Sequence, residues 1–262
     1  MIRETPSWPP ARLSLKHLVL LALAAAFAAA LLQHGVVLQW AAYHAFADQR
    51  AWAGVPHAAD VLSSLPFSLV GSWAWWRLRQ VDAARPSVRA WRCFAAALLC
   101  TGAGSAGYHW APDDAALVFD RLPIAWACAA LLCAFLAEQV DSRWARRDVL
   151  AALLLLATLS VVAWAMTGDL RAYLFVQGLP LLLVSAGLLM RLPRAAGAVP
   201  ASAWWALIVA YALAKALELG DQTVFATIAL VSGHTLKHLC AAVGAWLLLR
   251  AVPAPGRTPQ LR

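Results

Sequence analysis

Long apolar runs, broken by short polar connections, fill almost the whole of this chain. About 20 mainly apolar residues are enough to cross the hydrocarbon core of a bilayer as a helix. The pattern predicts eight such helices, over residues 17–40, 58–77, 91–110, 117–139, 149–167, 171–190, 203–220 and 226–250. No connection is long enough to hold a soluble domain. The chain therefore reads as an all-α integral membrane protein. A seven-helix transmembrane bundle spans 58–250. A tail, one additional N-terminal span and an outer loop precede it over 1–57, and a Pro-rich, disordered tail follows over 251–262.

Composition agrees. Hydrophobic residues make up 63% of the chain and charged residues 13%, against about half and a quarter in soluble domains. The mean hydropathy is +0.68. The 14 tryptophans suit side chains that settle at the two bilayer interfaces. A net charge of +8 would suggest nucleic acid in a soluble protein. Here it marks the loops that stay in the cytoplasm, and no nucleic-acid partner is expected. Of the 21 lysines and arginines, all but five fall in segments that a cytoplasmic N-terminus places inside. The exceptions are Arg50 and Arg171 in outer loops, and Arg121, Lys215 and Lys237 within spans. This asymmetry supports eight spans with both termini inside. The first span also resembles a secretory signal, with a basic start and an Ala-rich core, but its apolar stretch outruns a usual signal core. Cleavage there would leave seven spans. The five cysteines all lie in apolar runs and form no C-x-x-C pair. They read as small buried hydrophobes rather than a disulfide framework.

Ionisable groups inside spans are costly and need individual accounts. They include Asp60, Glu138, Lys215, Glu218, Lys237, Asp120, His109, His234 and His238. His234 and His238 are four apart, so their Cβ atoms lie about 5–6 Å from one another on one helix face. Two such imidazoles can converge on one metal ion, but they cannot be opposite axial ligands of a haem. Zinc then requires a third ligand from another helix at the same depth. A last span entered at residue 226 puts His234 roughly 12 Å down, at 1.5 Å per residue. His109 and Asp120, around the connection 102-GAGSAGYHWAPDDAALVFDRLP-123, lie in the same half of the membrane by the charge argument alone. Pro112, Asp113 and Asp114 make a turn and helix start, with Asp120 in the first turn of the span that follows. Ser105 is one turn before His109 on the same face.

Three imidazoles with one open position form the pattern of a catalytic zinc, which activates water. Asp120 is placed to move that water's proton, and Ser105 to donate to a developing oxyanion. Each residue also has a structural reading. The histidine pair serves equally as an interhelical contact, and His109 as an interfacial side chain. Asp120 with Arg121 reads as an ion pair, and Ser105 as a packing residue among Gly102, Gly104 and Gly107.

The combined pattern resembles the alkaline ceramidase family, in its bacterial branch, and the wider seven-span hydrolase superfamily that includes the progestin and adiponectin receptors. The matching pieces are S-x-x-x-H (Ser105, His109), Asp120 eleven residues on, and H-x-x-x-H (His234, His238), together with 59-ADVLSSLPF-67 and 232-SGHTLKHL-239. The resemblance covers about residues 40–250. It implies a bundle around a zinc held by His109, His234 and His238, with Asp120 as acid/base and Ser105 as transition-state helper. It further implies ceramide-like N-acyl lipid substrates, and a bacterial cell membrane with the site toward its outer half. Eukaryotic members bind calcium ahead of the first core helix. Of that cluster Asp48 and Asp60 remain as oxygen ligands, too few for a cation that takes six or more. Asp60 and Ser63 read instead as cross-links at the mouth of the site. Lys215 and Glu218 read as an ion pair with Asp221 one turn on, and Lys237 as facing a carboxylate or snorkelling. The competing readings are a lipid-sensing receptor with a structural zinc and a histidine-containing electron-transfer or transport protein. Fatty-acid release separates the first from a hydrolase.

Overall fold

A computed structural model describes residues 14–82 and 87–253. The N-terminal basic residues Arg3 and Arg12, the loop residue Arg85, and residues 254–262 of the expected disordered tail lie outside the described residues. Among the described residues the chain forms α1 (Leu15–His34), α2 (Ala58–Leu78), α3 (Val88–Trp110), α4 (Asp114–Gln139), α5 (Arg147–Thr167), α6 (Arg171–Leu189), α7 (Ala201–Leu219), α8 (Asp221–Ile228) and α9 (Gly233–Ala251). A 3₁₀ turn at Ser142–Ala145 joins α4 to α5. Five of these helices, α1, α4, α5, α6 and α7, are long and apolar enough to cross a membrane, and α8 with α9 makes a sixth if that pair is one bent span. The chain is therefore an integral, multi-pass membrane protein. Helices α2 and α3 match the others in length but carry more polar residues, among them Asp60, Ser63 and Ser64 on α2 and Ser105 and His109 on α3.

Two predicted spans are corrected. The first ends at His34, not near Trp40, because Gly35 turns the chain at φ 83. The apolar residues beyond it continue outside the helix, and Leu38 bridges to Asp169 in the α5–α6 connection. The last predicted span is broken. Helix α8 ends where Ala229 takes φ 59. The Ser232 side chain then accepts from the Thr235 amide at 3.0 Å and starts a new helix, bent 107° from the first. An oxygen at this capping position satisfies amides that would otherwise lack partners.

Polar side chains tie the ends of the long helices. At one end Glu138 accepts from the Ser87 hydroxyl (2.7 Å), the Trp91 indole (2.8 Å) and the Val199 amide (2.9 Å). There Arg77 also donates to the Leu249 carbonyl at 2.7 Å, and Lys16 to that of Met190, past the end of α6, at 2.8 Å. A cation beside a helix C-terminus is favourable. At the opposite end Asp169 receives the Val37 amide, the Arg171 amide and Arg171 Nε. Helix α1 packs chiefly on α6, at the edge of the bundle.

Helices α2, α3 and α4 approach closely through glycine. A Cβ on Gly71 would strike the α3 backbone, one on Gly102 the Ser68 side chain, and one on Gly104 the Phe119 carbonyl. Small residues of this kind let helix backbones meet without the hydrophobic drive available in water. The cysteines are all free, but only Cys133 is fully buried, and Cys100 is exposed. Its helix face points outward, where an apolar side chain costs nothing in lipid.

Candidate metal centre

Two helices, α3 and α9, deliver three imidazoles to one point. His109 is the penultimate residue of α3, held by a helix whose glycines bring it against α2 and α4. His234 and His238 occupy the first turns of α9, so the break after α8 puts His234 at the very start of a helix rather than two turns within one. This replaces the predicted depth. All three are buried, at 1%, 8% and 4% exposed. Their ring centroids form a near-equilateral triangle with sides of 4.8, 4.8 and 5.0 Å. One ligand atom from each lies within 4.8 Å of the others, and no other such group occurs among the described residues.

Nε2 of His109 and Nε2 of His234 are 3.3 Å apart. A tetrahedral ion with nitrogen ligands at about 2.0–2.1 Å places those nitrogens ~3.3 Å from each other. The geometry and the neutral nitrogen donor set fit zinc, although a direct N–H···N contact has the same length. His109 Nδ1 is buried without a partner.

The surrounding residues orient the rings. Ser63 Oγ lies 2.9 Å from His238 Nδ1. Asp60, fully buried on α2, accepts from the Thr235 hydroxyl at 2.6 Å. Asp60 and Ser63 thus join α2 to α9 beside the triad, as expected. Asp221 is reassigned. It does not extend the Lys215–Glu218 pair; its carboxylate takes the His234 amide at 2.7 Å and the Ala47 amide at 2.9 Å. The break between α7 and α8 at Gly220 separates it from the helix that carries Lys215 and Glu218. Phe46 covers the triad, with its ring centre 4.7 Å from those of both His109 and His234. Phe46 and the His44–Tyr108 contact at 2.8 Å were not singled out from sequence. Each joins residues far apart in the chain, so no local spacing announces it.

Asp48 is not gathered with Asp60. Its carboxylate is taken by Arg50 at 2.7 Å, and hydrogen bonding from that guanidinium holds its pKa below the usual carboxylate range. Arg50 also donates to the Leu230 carbonyl, clasping the α8–α9 connection.

A cavity of about 220 Å³ opens beside the triad. His238, Ser105 and Asp120 line its polar end. Asp120 sits in the second turn of α4, not the first, because Asp113 caps the helix by accepting from the Ala116 amide at 2.6 Å. Its carboxyl lies beside the Ser105 hydroxyl, which in turn accepts from Ser64 at 3.2 Å. His109 and His234 stand outside the cavity wall. From Asp120 to Leu131 along α4, and from Ser105 to Phe94 along α3, the lining extends eleven residues each way, roughly 16 Å. Its far part is apolar. Glu218 lies between two ammonium groups, Lys215 at 2.5 Å and Lys237 at 3.0 Å. Lys237 therefore faces a carboxylate rather than snorkelling.

No family model matches this chain, and no curated protein matches it.

Proposed function

We propose that this protein is a zinc-dependent intramembrane amidase of the alkaline ceramidase kind, releasing a fatty acid from ceramide-like N-acyl lipids. The observation that carries this reading is the triangle of buried imidazoles opening, through His238, onto a cavity with one polar and one apolar end. His109, His234 and His238 would hold the metal, with Ser63 and Asp221 fixing the presentation of α9. A bound zinc ion supplies Lewis acidity at the amide carbonyl and lowers the pKa of water.

The other roles belong to the chain itself. The apolar arm of the cavity, some 16 Å long, takes the acyl chain and so positions the amide at the polar end. Asp120 removes a proton from the attacking water and returns one to the departing amine. Ser105 donates a hydrogen bond where the carbonyl oxygen gains charge. The aromatic cover of Phe46 keeps bulk water from the triad.

The membrane arrangement proposed is eight crossings, counting the bent α8–α9 pair once, with both termini cytoplasmic and the triad in the outer half of a bacterial cell membrane. The end-tying contacts support it. Each links two helix ends that such an up-and-down path would leave on one side, as Lys16 does with Met190 and Arg77 with Leu249.

The test is metal content together with fatty-acid release from a panel of N-acyl lipids. Wild type is expected to hold about one zinc per chain and to release fatty acid. His238→Ala should lose both. Asp120→Asn should keep the metal and lose roughly 10²–10⁴-fold in rate, the usual worth of a general acid–base. Full activity in metal-free protein would overturn the reading. So would zinc-loaded protein that binds these lipids without releasing acid, which is the behaviour of a receptor.

A further inference from the structure

Arg121 follows Asp120 directly in α4, so its side chain leaves the helix in another direction yet lines the same cavity. It is 4% exposed. Its guanidinium carbon lies 3.9 Å from the centre of the Trp164 ring, 5.1 Å from that of Tyr173 and 5.2 Å from that of Tyr43. Aromatic faces stabilise a guanidinium held in this way. They offer no lone pairs in its plane, however, and Nε and Nη1 are buried with no hydrogen-bond partner. Buried donors left unmade are costly. No carboxylate among the described residues forms an ion pair with it. Glu218 is shared by Lys215 and Lys237, and Asp120 keeps Oδ1 without a partner of its own. The cavity thus holds three cationic side chains, Arg121, Lys215 and Lys237, against two carboxyls.

A planar guanidinium with open donors, caged by rings inside a lipid-sized cavity, matches a carboxylate. We infer that Arg121 binds an oxyanion on the lipid head group, which makes acidic N-acyl lipids, such as N-acyl amino acids, the preferred substrates over neutral ceramide-like ones. The inference rests on the amidase reading and narrows it. Arg121 and Asp120 line the same cavity, so one bound lipid can present an anion to the first and its amide to the second. Hydrolysis then adds water across the C–N bond and yields a fatty acid and an amino acid.

The experiment is equilibrium binding of N-oleoylglycine, N-oleoylethanolamine and oleate to the full chain in detergent with EDTA, using wild type, Arg121→Gln and Arg121→Lys. Wild type should prefer N-oleoylglycine over N-oleoylethanolamine by about tenfold or more, as one charge-assisted hydrogen-bond pair gives. Arg121→Gln should bring the two within about twofold while Arg121→Lys, which keeps the charge, retains part of the preference. Equal wild-type affinities, or a preference that survives in Arg121→Gln, would overturn the inference. Oleate bound as tightly as N-oleoylglycine, and weakened equally by Arg121→Gln, would also overturn it, by assigning the site to the released acid. Oleate release is followed separately on the zinc-loaded protein. Its absence alongside an Arg121-dependent preference would sink the amidase reading and leave the oxyanion site standing.

Discussion

Ser63 Oγ stands between two groups, His238 Nδ1 at 2.9 Å and the Asp60 carbonyl at 3.1 Å. A hydroxyl has one proton to give. The carbonyl can only accept, so Ser63 donates to Asp60 and accepts from His238. That assigns the Nδ1–H tautomer to His238 and turns the lone pair of its Nε2 toward the other two rings. Such outer partners typically tune metal affinity by 10–100-fold. Ser63→Ala is expected to weaken zinc binding by about tenfold or more without changing its stoichiometry at saturation, measured by competition with a fluorescent chelator.

Glu218 holds two ammonium groups at the cavity wall. Glu218→Gln leaves both without a counter-charge. Breaking a largely buried pair by removing one partner costs on the order of 3 kcal/mol. Thermal unfolding in detergent should show a lower midpoint. The double change Glu218→Gln with Lys237→Met should regain part of the loss, because one uncompensated charge is then removed.

Gly102 is a point of close approach of α3 to α2, with Ser68 and the Ser64 carbonyl where a Cβ would stand. Gly102→Ala forces the helices apart at a cost of about 1–3 kcal/mol. The same shift separates Ser64 from Ser105. A lowered unfolding midpoint accompanied by slower lipid hydrolysis is the expected pair of results. Gly107 has nothing within reach of a Cβ, so Gly107→Ala serves as the neutral comparison.

Asp169 clasps the extended chain after α1 to the start of α6. Hydrogen bonds from the Arg171 side chain, chiefly, and from backbone amides bring its pKa down to about 2 from an ordinary 3.8. A carboxyl with a depressed folded-state pKa contributes stability above its unfolded value and loses it as pH falls through the folded one. The difference in unfolding midpoint between wild type and Asp169→Asn should therefore be constant from pH 7 to about 5. It should shrink from about pH 4 downward and vanish near pH 2.

Much of this arrangement is legible in the sequence. Helices α2 to α7 fall within a few residues of their apolar runs, since hydropathy reports length and burial directly. His109, His234 and His238 were legible as a set through two independent regularities, the i,i+4 spacing and the distribution of basic residues. The break between α8 and α9 was not. The stretch 229-ALVSG-233 is apolar enough to continue a span, and what ends the helix is the left-handed turn at Ala229 and the Ser232 cap. Asp221 was misread for a related reason. Its spacing from Glu218 suggests one helix face, but the helix breaks at Gly220 and Asp221 bonds to the amides of Ala47 and His234. Partners contributed from 174 residues away leave no periodicity to read.

The ring of Phe46, only 4% exposed, lies over His109 and His234 like a stopper. A cation held by the triad would have to wait, on that side, for the segment around Phe46, pinned through Ala47 to Asp221, to lift away. How long such an ion stayed would be governed by the opening of that plug as well as by the strength of its nitrogen bonds, so a weakly held metal would still exchange slowly.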